Sequence, residues 1–150
     1  MKKQRVLAVC SGGGHWIQMK RLAPAFDGFD LTYATVTCSD QDRLLPARVL
    51  RIPDANRDTK FKLILLTLRL TWIVARYRPT VVISTGAAPG YLAVRLGRLV
   101  GAKTLFMDSI ANAEELSLSA KMVIPYADVT LSQWTSVADS KGISYWGAVL

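Results

Sequence analysis

A short β-branched and aliphatic run, Val6 to Cys10, ends in Ser11-Gly12-Gly13-Gly14, and a helix-compatible stretch follows from His15 to about Phe26. The same order of strand, tight turn and helix returns further on. Thr80 to Ser84 reads as an apolar strand, Thr85-Gly86-Ala87-Ala88-Pro89-Gly90 as a glycine-bracketed loop, and Tyr91 to Val100 as a helix up to Gly101. Between the two units, Leu31 to Val36 and Arg48 to Ile52 read as strands, and a long helix is expected from about Thr59 to Tyr77, stopping ahead of Pro79. Lys103 to Met107 and Val129 to Leu131 add strands, with a polar loop at Asp108 to Glu115 and a short helix near Leu116 to Ile124.

Nearly continuous apolar strands joined by helical crossovers predict an α/β domain with a mainly parallel sheet covered on both faces. Right-handed crossovers make it doubly wound and Rossmann-like. At 150 residues, without linkers, repeats or low-complexity tracts, residues 1–150 are expected to form one domain with a core that needs no metal or disulfide staple. Cys10 and Cys38 lack the spacing of a redox or zinc pair and read as small buried hydrophobes in a reducing cytoplasm. The opening MKKQRVLAVC has too short an apolar stretch for a signal peptide, and Arg69 interrupts the longest apolar run, which argues against a spanning helix.

The balance of 19 Lys and Arg against 11 Asp and Glu, a net +8, favours an anionic partner such as a phosphorylated lipid, a nucleotide or an acidic membrane surface. Nucleic acid is disfavoured, because the basic residues are scattered and no nucleic-acid-binding motif accompanies them.

In a sheet of this kind ligands bind beyond the carboxyl ends of the strands, where three loops of unusual chemistry are expected. Ser11, Gly12, Gly13, Gly14 and His15 form a turn whose main-chain amides can approach a phosphate closely at a positive helix start. It is neither the dinucleotide fingerprint nor a Walker loop, and a plain tight turn is the alternative. His15, the single histidine, is either a hydrogen-bonded structural residue or a donor to phosphate and acceptor of a hydroxyl proton. Thr85, Gly86 and Gly90 repeat the device, with helix packing as the alternative and Gly97 and Gly101 the better candidates for packing. Asp108, Ser109, Asn112, Glu114 and Glu115 supply the third loop. Asp108 is placed to bind sugar hydroxyls or to act as a base, and the two glutamates equally suit a helix N-terminus.

The long helix has two apolar faces at about 100° per residue. One holds Leu63, Leu66, Leu70, Ile73, Val74 and Tyr77. The other holds Phe61, Ile64, Leu65, Leu68, Trp72 and Ala75, with Arg69 and Arg76 alongside. The second face is expected to meet a partner, a bilayer whose phosphates the arginines reach, or neighbouring helices.

SGGGHWIQMKRLAPAF, the stretch from STGAAPGY to TLSQW, and the terminal YWGAVL together resemble the bacterial polysaccharide-biosynthesis relatives of the acceptor-binding, membrane-associated subunit of the dolichyl-diphosphate N-acetylglucosamine transferase. The loop order is also similar to the N-terminal half of the lipid II-forming N-acetylglucosaminyltransferase. The resemblance implies the N-terminal half of a GT-B glycosyltransferase, in which this domain takes the lipid-diphosphate acceptor. A separate donor-binding chain supplies the nucleotide sugar, the sequence ending about where a fused enzyme would enter its second domain. It implies a heteromer, an undecaprenyl-diphosphate-linked saccharide as acceptor, capsule or exopolysaccharide synthesis, and a peripheral place at the inner face of the cell membrane. It further implies inverting transfer without metal or cofactor, with the glycine loops on the diphosphate and His15 or Asp108 as candidate bases. Some relatives carry an N-terminal membrane anchor, whereas this chain starts on its first strand.

Two other readings compete. One is a stand-alone nicotinamide-binding reductase, against which the acidic ribose partner is not found about 20 residues past the glycines, Asp40 lying further on. The other is a noncatalytic membrane adaptor that makes no acceptor contact.

Overall fold

The computed structural model describes residues 3–39, 42 and 45–149. Among them the chain runs β1 (Arg5–Cys10), α1 (Gly14–Arg21), a 3-10 turn (Ala23–Phe26), β2 (Asp30–Thr35), β3 (Arg48–Arg51), α2 (Lys60–Tyr77), β4 (Val81–Ser84), α3 (Ala87–Leu99), β5 (Lys103–Met107), α4 (Leu118–Val123), β6 (Val129–Leu131) and α5 (Thr135–Lys141). The strands pair in the order β3-β2-β1-β4-β5-β6, every pair parallel. This is the doubly wound, Rossmann-like sheet that the alternation of strands and helices predicts.

Alternation along the strands divides the core. Leu7 and Val9 of β1 face Leu66, Leu70, Ile73 and Val74 of α2 and Ala93 of α3. Val6, Ala8 and Cys10 face Trp16 and Met19 of α1, with Phe26 and Tyr33. A third cluster gathers Val94, Phe106, Leu116, Ala120, Val123 and Val137 around β5, α3, α4 and α5. Strand order reverses between β1 and β4, whose residues pair from Val6 with Val81 to Val9 with Ser84. The register therefore sets the turn after β1 beside the turn after β4.

Several boundaries differ from expectation. Helix α1 stops at Arg21, and Ala23–Phe26 is a 3-10 turn with Pro24 in its first positions. Pro24 has no N–H for a continuing helix, and its ring collides with the carbonyl four residues back. Helix α3 starts at Ala87, four residues before the expected Tyr91, because Pro89 falls in the first turn, where no N–H is needed. Helix α5 is not anticipated at all, although Gly142, left-handed at φ 64, marks its end. Gly97 packs as expected, a Cβ there falling 2.6 Å from Val82 Cγ2. Gly101 instead ends the α3 region at φ +79, with open space around it. Cys10 is buried, but Cys38 is only half-buried, past the end of β2.

After β2 the chain is moored to α1 by Asp42. Its carboxylate accepts from Lys20 Nζ at 3.0 Å, Ser39 N at 2.8 Å and Ser39 Oγ at 2.9 Å. Burial alone would raise this acid. The Ser39 N–H, the Lys20 ammonium and the Ser39 hydroxyl outweigh it and hold the carboxyl well below the usual carboxylate range.

Candidate functional site

Ser11 to His15 and Thr85 to Ala88 lie side by side at the point where strand order reverses, the place where open α/β sheets bind ligands. His15 ties the two turns together. Its Nδ1 lies 2.8 Å from the Thr85 carbonyl oxygen, and Thr85 Oγ1 donates to the His15 carbonyl at 2.7 Å. A carbonyl only accepts, so Nδ1 carries the hydrogen. In the neutral ring Nε2 is then left with its lone pair. Thr85 is buried, with its hydroxyl and its carbonyl both turned to His15.

Neither helix start has a side-chain cap. In α1 the first intrahelical bond runs from Ile17 N to Gly13 O at 3.1 Å, so the N–H groups of Gly14, His15 and Trp16 precede it. In α3 the Gly86 N–H donates to Ser84 Oγ at 3.0 Å and Pro89 has none, which leaves Ala87 and Ala88 as donors. Two positive helix ends thus meet across the His15 clasp.

The glycines of this mouth differ in why they are glycine. Gly12 makes room for Thr37, whose Oγ1 would lie 2.3 Å from a Cβ. Gly13 sits at φ 62, ψ −135, a conformation that L side chains avoid. Gly86 has φ +127, and a Cβ on it would meet the His15 ring at 2.7 Å. Gly14 has neither constraint: its backbone is ordinary and nothing lies within 4 Å of a Cβ. Gly90 is buried, and its missing side chain makes room for Ser84, whose Oγ would be 1.9 Å from a Cβ. The structure therefore gives Gly90 the packing role that Gly97 also serves. Ala87 holds φ 66 without being glycine, a strained residue at the edge of the mouth. Beneath the turns, burial pushes the Cys10 thiol up to about 11 despite the neighbouring hydroxyls of Thr35, to which it donates, and Thr85. It is a floor residue and not a nucleophile.

The third loop closes one side, with its acid turned inward. Asp108 is 1% exposed, and its carboxylate accepts from Asn112 Nδ2 at 3.0 Å and Ser117 N at 2.8 Å. Both oxygens are occupied in shaping the loop, so of the two candidate bases only His15 presents an atom without a partner among the described residues. Ser109 and Asn112 are half-buried beside it, whereas Glu114 and Glu115 are exposed. Neither glutamate lies in the first turn of α4, which Ser117 caps by accepting from Ala120 N at 3.1 Å. Glu115 instead pairs with Lys121 at 2.7 Å on the surface.

Two residues that the sequence reading omits, Gln18 and Gln133, are buried at the back of this loop and bonded to each other at 2.6 Å. An amide on the core side of α1, one turn past His15, is the signal that could have revealed the first. Asp40, weighed as a ribose partner, and Leu150 of the terminal motif lie outside the described residues. A groove of about 1450 Å³ lies at the amino end of the sheet, lined by Arg5, Arg48, Trp72, Arg76 and Tyr77, and no residue of the glycine turns borders it.

The second face of α2 is uncovered by the described residues. Phe61 is 73% exposed, Leu68 62% and Trp72 56%, with Ile64 and Leu65 between them. Arg69 stacks its guanidinium 5.1 Å from the Trp72 ring centre. Among the described residues no helix is long and apolar enough to cross a membrane.

Comparison with known proteins places the chain in a family. Residues 59–149 match the model of the oligosaccharide biosynthesis protein Alg14-like family, a segment containing the second and third loops but not the first. The UDP-N-acetylglucosamine transferase subunit ALG14 of Cryptococcus neoformans is 35% identical over 57 residues, 38% of this chain and 25% of that protein. The fold superposes on MurG of Acinetobacter baumannii with a TM-score of 0.72 at 15% identity, covering 89% of this chain and 43% of that one. It matches UDP-N-acetylglucosamine 2-epimerase of Rickettsia bellii with a TM-score of 0.73 at 12% identity, covering 98% and 45%. The chain thus spans a quarter of the curated relative and less than half of these solved structures, and its fold is the Rossmann-like half of a GT-B architecture. On the family match, the chain belongs to the Alg14-like family of oligosaccharide biosynthesis proteins.

Proposed function

We propose that this chain is the acceptor-binding subunit of a two-chain inverting glycosyltransferase. The mouth between α1 and α3 takes the diphosphate of an undecaprenyl-diphosphate-linked saccharide, and a separate donor-binding chain supplies the nucleotide sugar. The Cryptococcus relative is by name a subunit of a UDP-N-acetylglucosamine transferase, which supports a heteromer and an amino-sugar donor. Capsule or exopolysaccharide assembly is the setting that fits a bacterial lipid carrier.

The observation that carries the reading is Gly14. Nothing among the described residues requires glycine there, yet it stands at the first helical position and opens the run of N–H groups that precede the first helical bond. A backbone kept bare at a helix start suits the close approach of an anion. The acceptor hydroxyl then attacks the anomeric carbon of the donor sugar opposite the departing nucleotide diphosphate, and its proton passes to His15 Nε2. The exposed face of α2 lies in the bilayer surface, with Lys60, Lys62, Arg69 and Arg76 among lipid phosphates. Its first turn follows the carboxyl end of β3, the end of the sheet where the mouth opens.

Gly14→Ala and His15→Ala in the reconstituted pair test this. Gly14→Ala should melt no lower than wild type, since alanine at an unstrained helical position stabilises by up to about 1 kcal/mol, while acceptor use falls at least tenfold. His15→Ala should lower kcat by about a hundredfold or more. Wild-type transfer by Gly14→Ala would contradict the diphosphate site.

A further inference from the structure

The loop after β5 and the segment after β6 converge on one buried side chain of α1. Gln18 Oε1 accepts from Gln133 Nε2 at 2.6 Å and from Ile110 N at 3.3 Å, and Gln18 Nε2 donates to Ser109 Oγ at 3.2 Å. Gln133 Nε2 also donates to the Asp108 carbonyl at 2.8 Å, and its Oε1 accepts from Val149 N at 2.8 Å. From the other side, Trp134 Nε1 donates to the Ile110 carbonyl at 2.7 Å. The two glutamines are 5% and 3% exposed, so these amides have left water for one another.

Gln18 stands one turn after His15 on α1, and side chains three apart share a helix face. The helix is therefore held at two successive points. His15 fixes it to the turn after β4, and Gln18 fixes it to the loop after β5. We propose that Gln18, with Gln133 as its second arm, is a positioning residue that sets Ser109 and Asn112 across the mouth from His15 and so governs how tightly the acceptor is held. This rests on the acceptor reading above. It adds a determinant that touches no substrate and lies outside the glycine turns.

The bonding pattern distinguishes two replacements of similar length. Methionine removes every polar partner of Gln18. Glutamate keeps an acceptor for Gln133 Nε2 and Ile110 N–H, and the Ser109 hydroxyl can rotate to donate to it while still accepting from Ala111 N. In the full chain assembled with its donor-binding partner, Gln18→Met should raise the acceptor KM about tenfold with the donor KM unchanged, and Gln18→Glu should restore it to within about threefold of wild type. Hydrogen exchange of the chain alone supplies a readout that needs neither partner nor acceptor. In Gln18→Met the Ile110 amide should exchange about tenfold or more faster, with β1 and β4 unaffected. If Gln18→Met does not fold, Gln133→Met breaks the bond between the two amides and leaves those of Gln18 to Ser109 and Ile110, so exchange at Ile110 and the acceptor KM should move in the same direction by a smaller factor.

Unchanged exchange at Ile110 overturns the proposal whether or not transfer is measurable. Faster exchange with a wild-type acceptor KM overturns it as well, and so does failure of Gln18→Glu to rescue. A wild-type pair that transfers nothing would sink the acceptor reading, and Ile110 exchange would still decide whether Gln18 sets the loop.

Discussion

Gly14 opens the first turn of α1 and Gly90 closes the first turn of α3, and the two have opposite reasons to be glycine. Gly90 yields its space to Ser84 and Phe106, within 1.9 and 3.3 Å of a Cβ, while Gly14 faces open space. Gly90→Ala forces the first turn of α3 off β4 and is expected to cost about 1–3 kcal/mol in thermal unfolding, the usual penalty for overpacking. Unfolding of Gly90→Ala at the wild-type temperature would show that α3 does not seat on β4 this closely. Gly13 is a poorer probe than Gly14, because at φ 62 any side chain strains the backbone before it meets a ligand. At this scale the candidate bases also separate. Asp108 spends both oxygens on Asn112 and Ser117, and Thr85 takes one nitrogen of His15 and leaves the other without a partner among the described residues. Residue type and position along the chain placed both at the mouth. Which way each side chain turns depends on partners 9 and 70 residues away, and no local pattern encodes that.

Helix α2 is the element whose character the sequence makes plainest. Its doubled apolar periodicity predicts two faces, and one packs on β1 and α3 while the other stays exposed. Removing Phe61 and Trp72 together, as Phe61→Ser with Trp72→Ser, takes nothing from the core, and stability should change by no more than about 0.5 kcal/mol per site. Each apolar side chain withdrawn from a bilayer surface forfeits about 1.5–3 kcal/mol, so flotation with anionic phospholipid vesicles should weaken about a hundredfold or more. Equal flotation of variant and wild type would remove the membrane role of this face. Other elements were less legible. The end of α1 depended on Pro24, a breaker whose reach extends back several residues, and α5 is a seven-residue helix too short to show a period.

As a whole the molecule is a parallel sheet whose strand order reverses once, and the reversal brings together what lies far apart in the chain. The sequence made the strand-turn-helix unit visible twice, from Val6 and from Thr80. That the two units become neighbours follows from the crossover of α2, which carries β4 back beside β1. The mouth is built from that adjacency: main-chain donors of two helix starts, a histidine clasp between them, and a polar loop closing one side. The groove at the amino end of the sheet, with Arg5, Arg48 and Arg76, is the competing place for an anion on this basic chain. Titration of inorganic pyrophosphate into the isotopically labelled chain, followed at its backbone amides, decides between the two places. Gly14, His15, Trp16, Ala87 and Ala88 should shift together along one saturable curve that Arg48 and Arg76 do not follow. Shifts centred on the arginine groove, or none at the two helix starts, would contradict the diphosphate site.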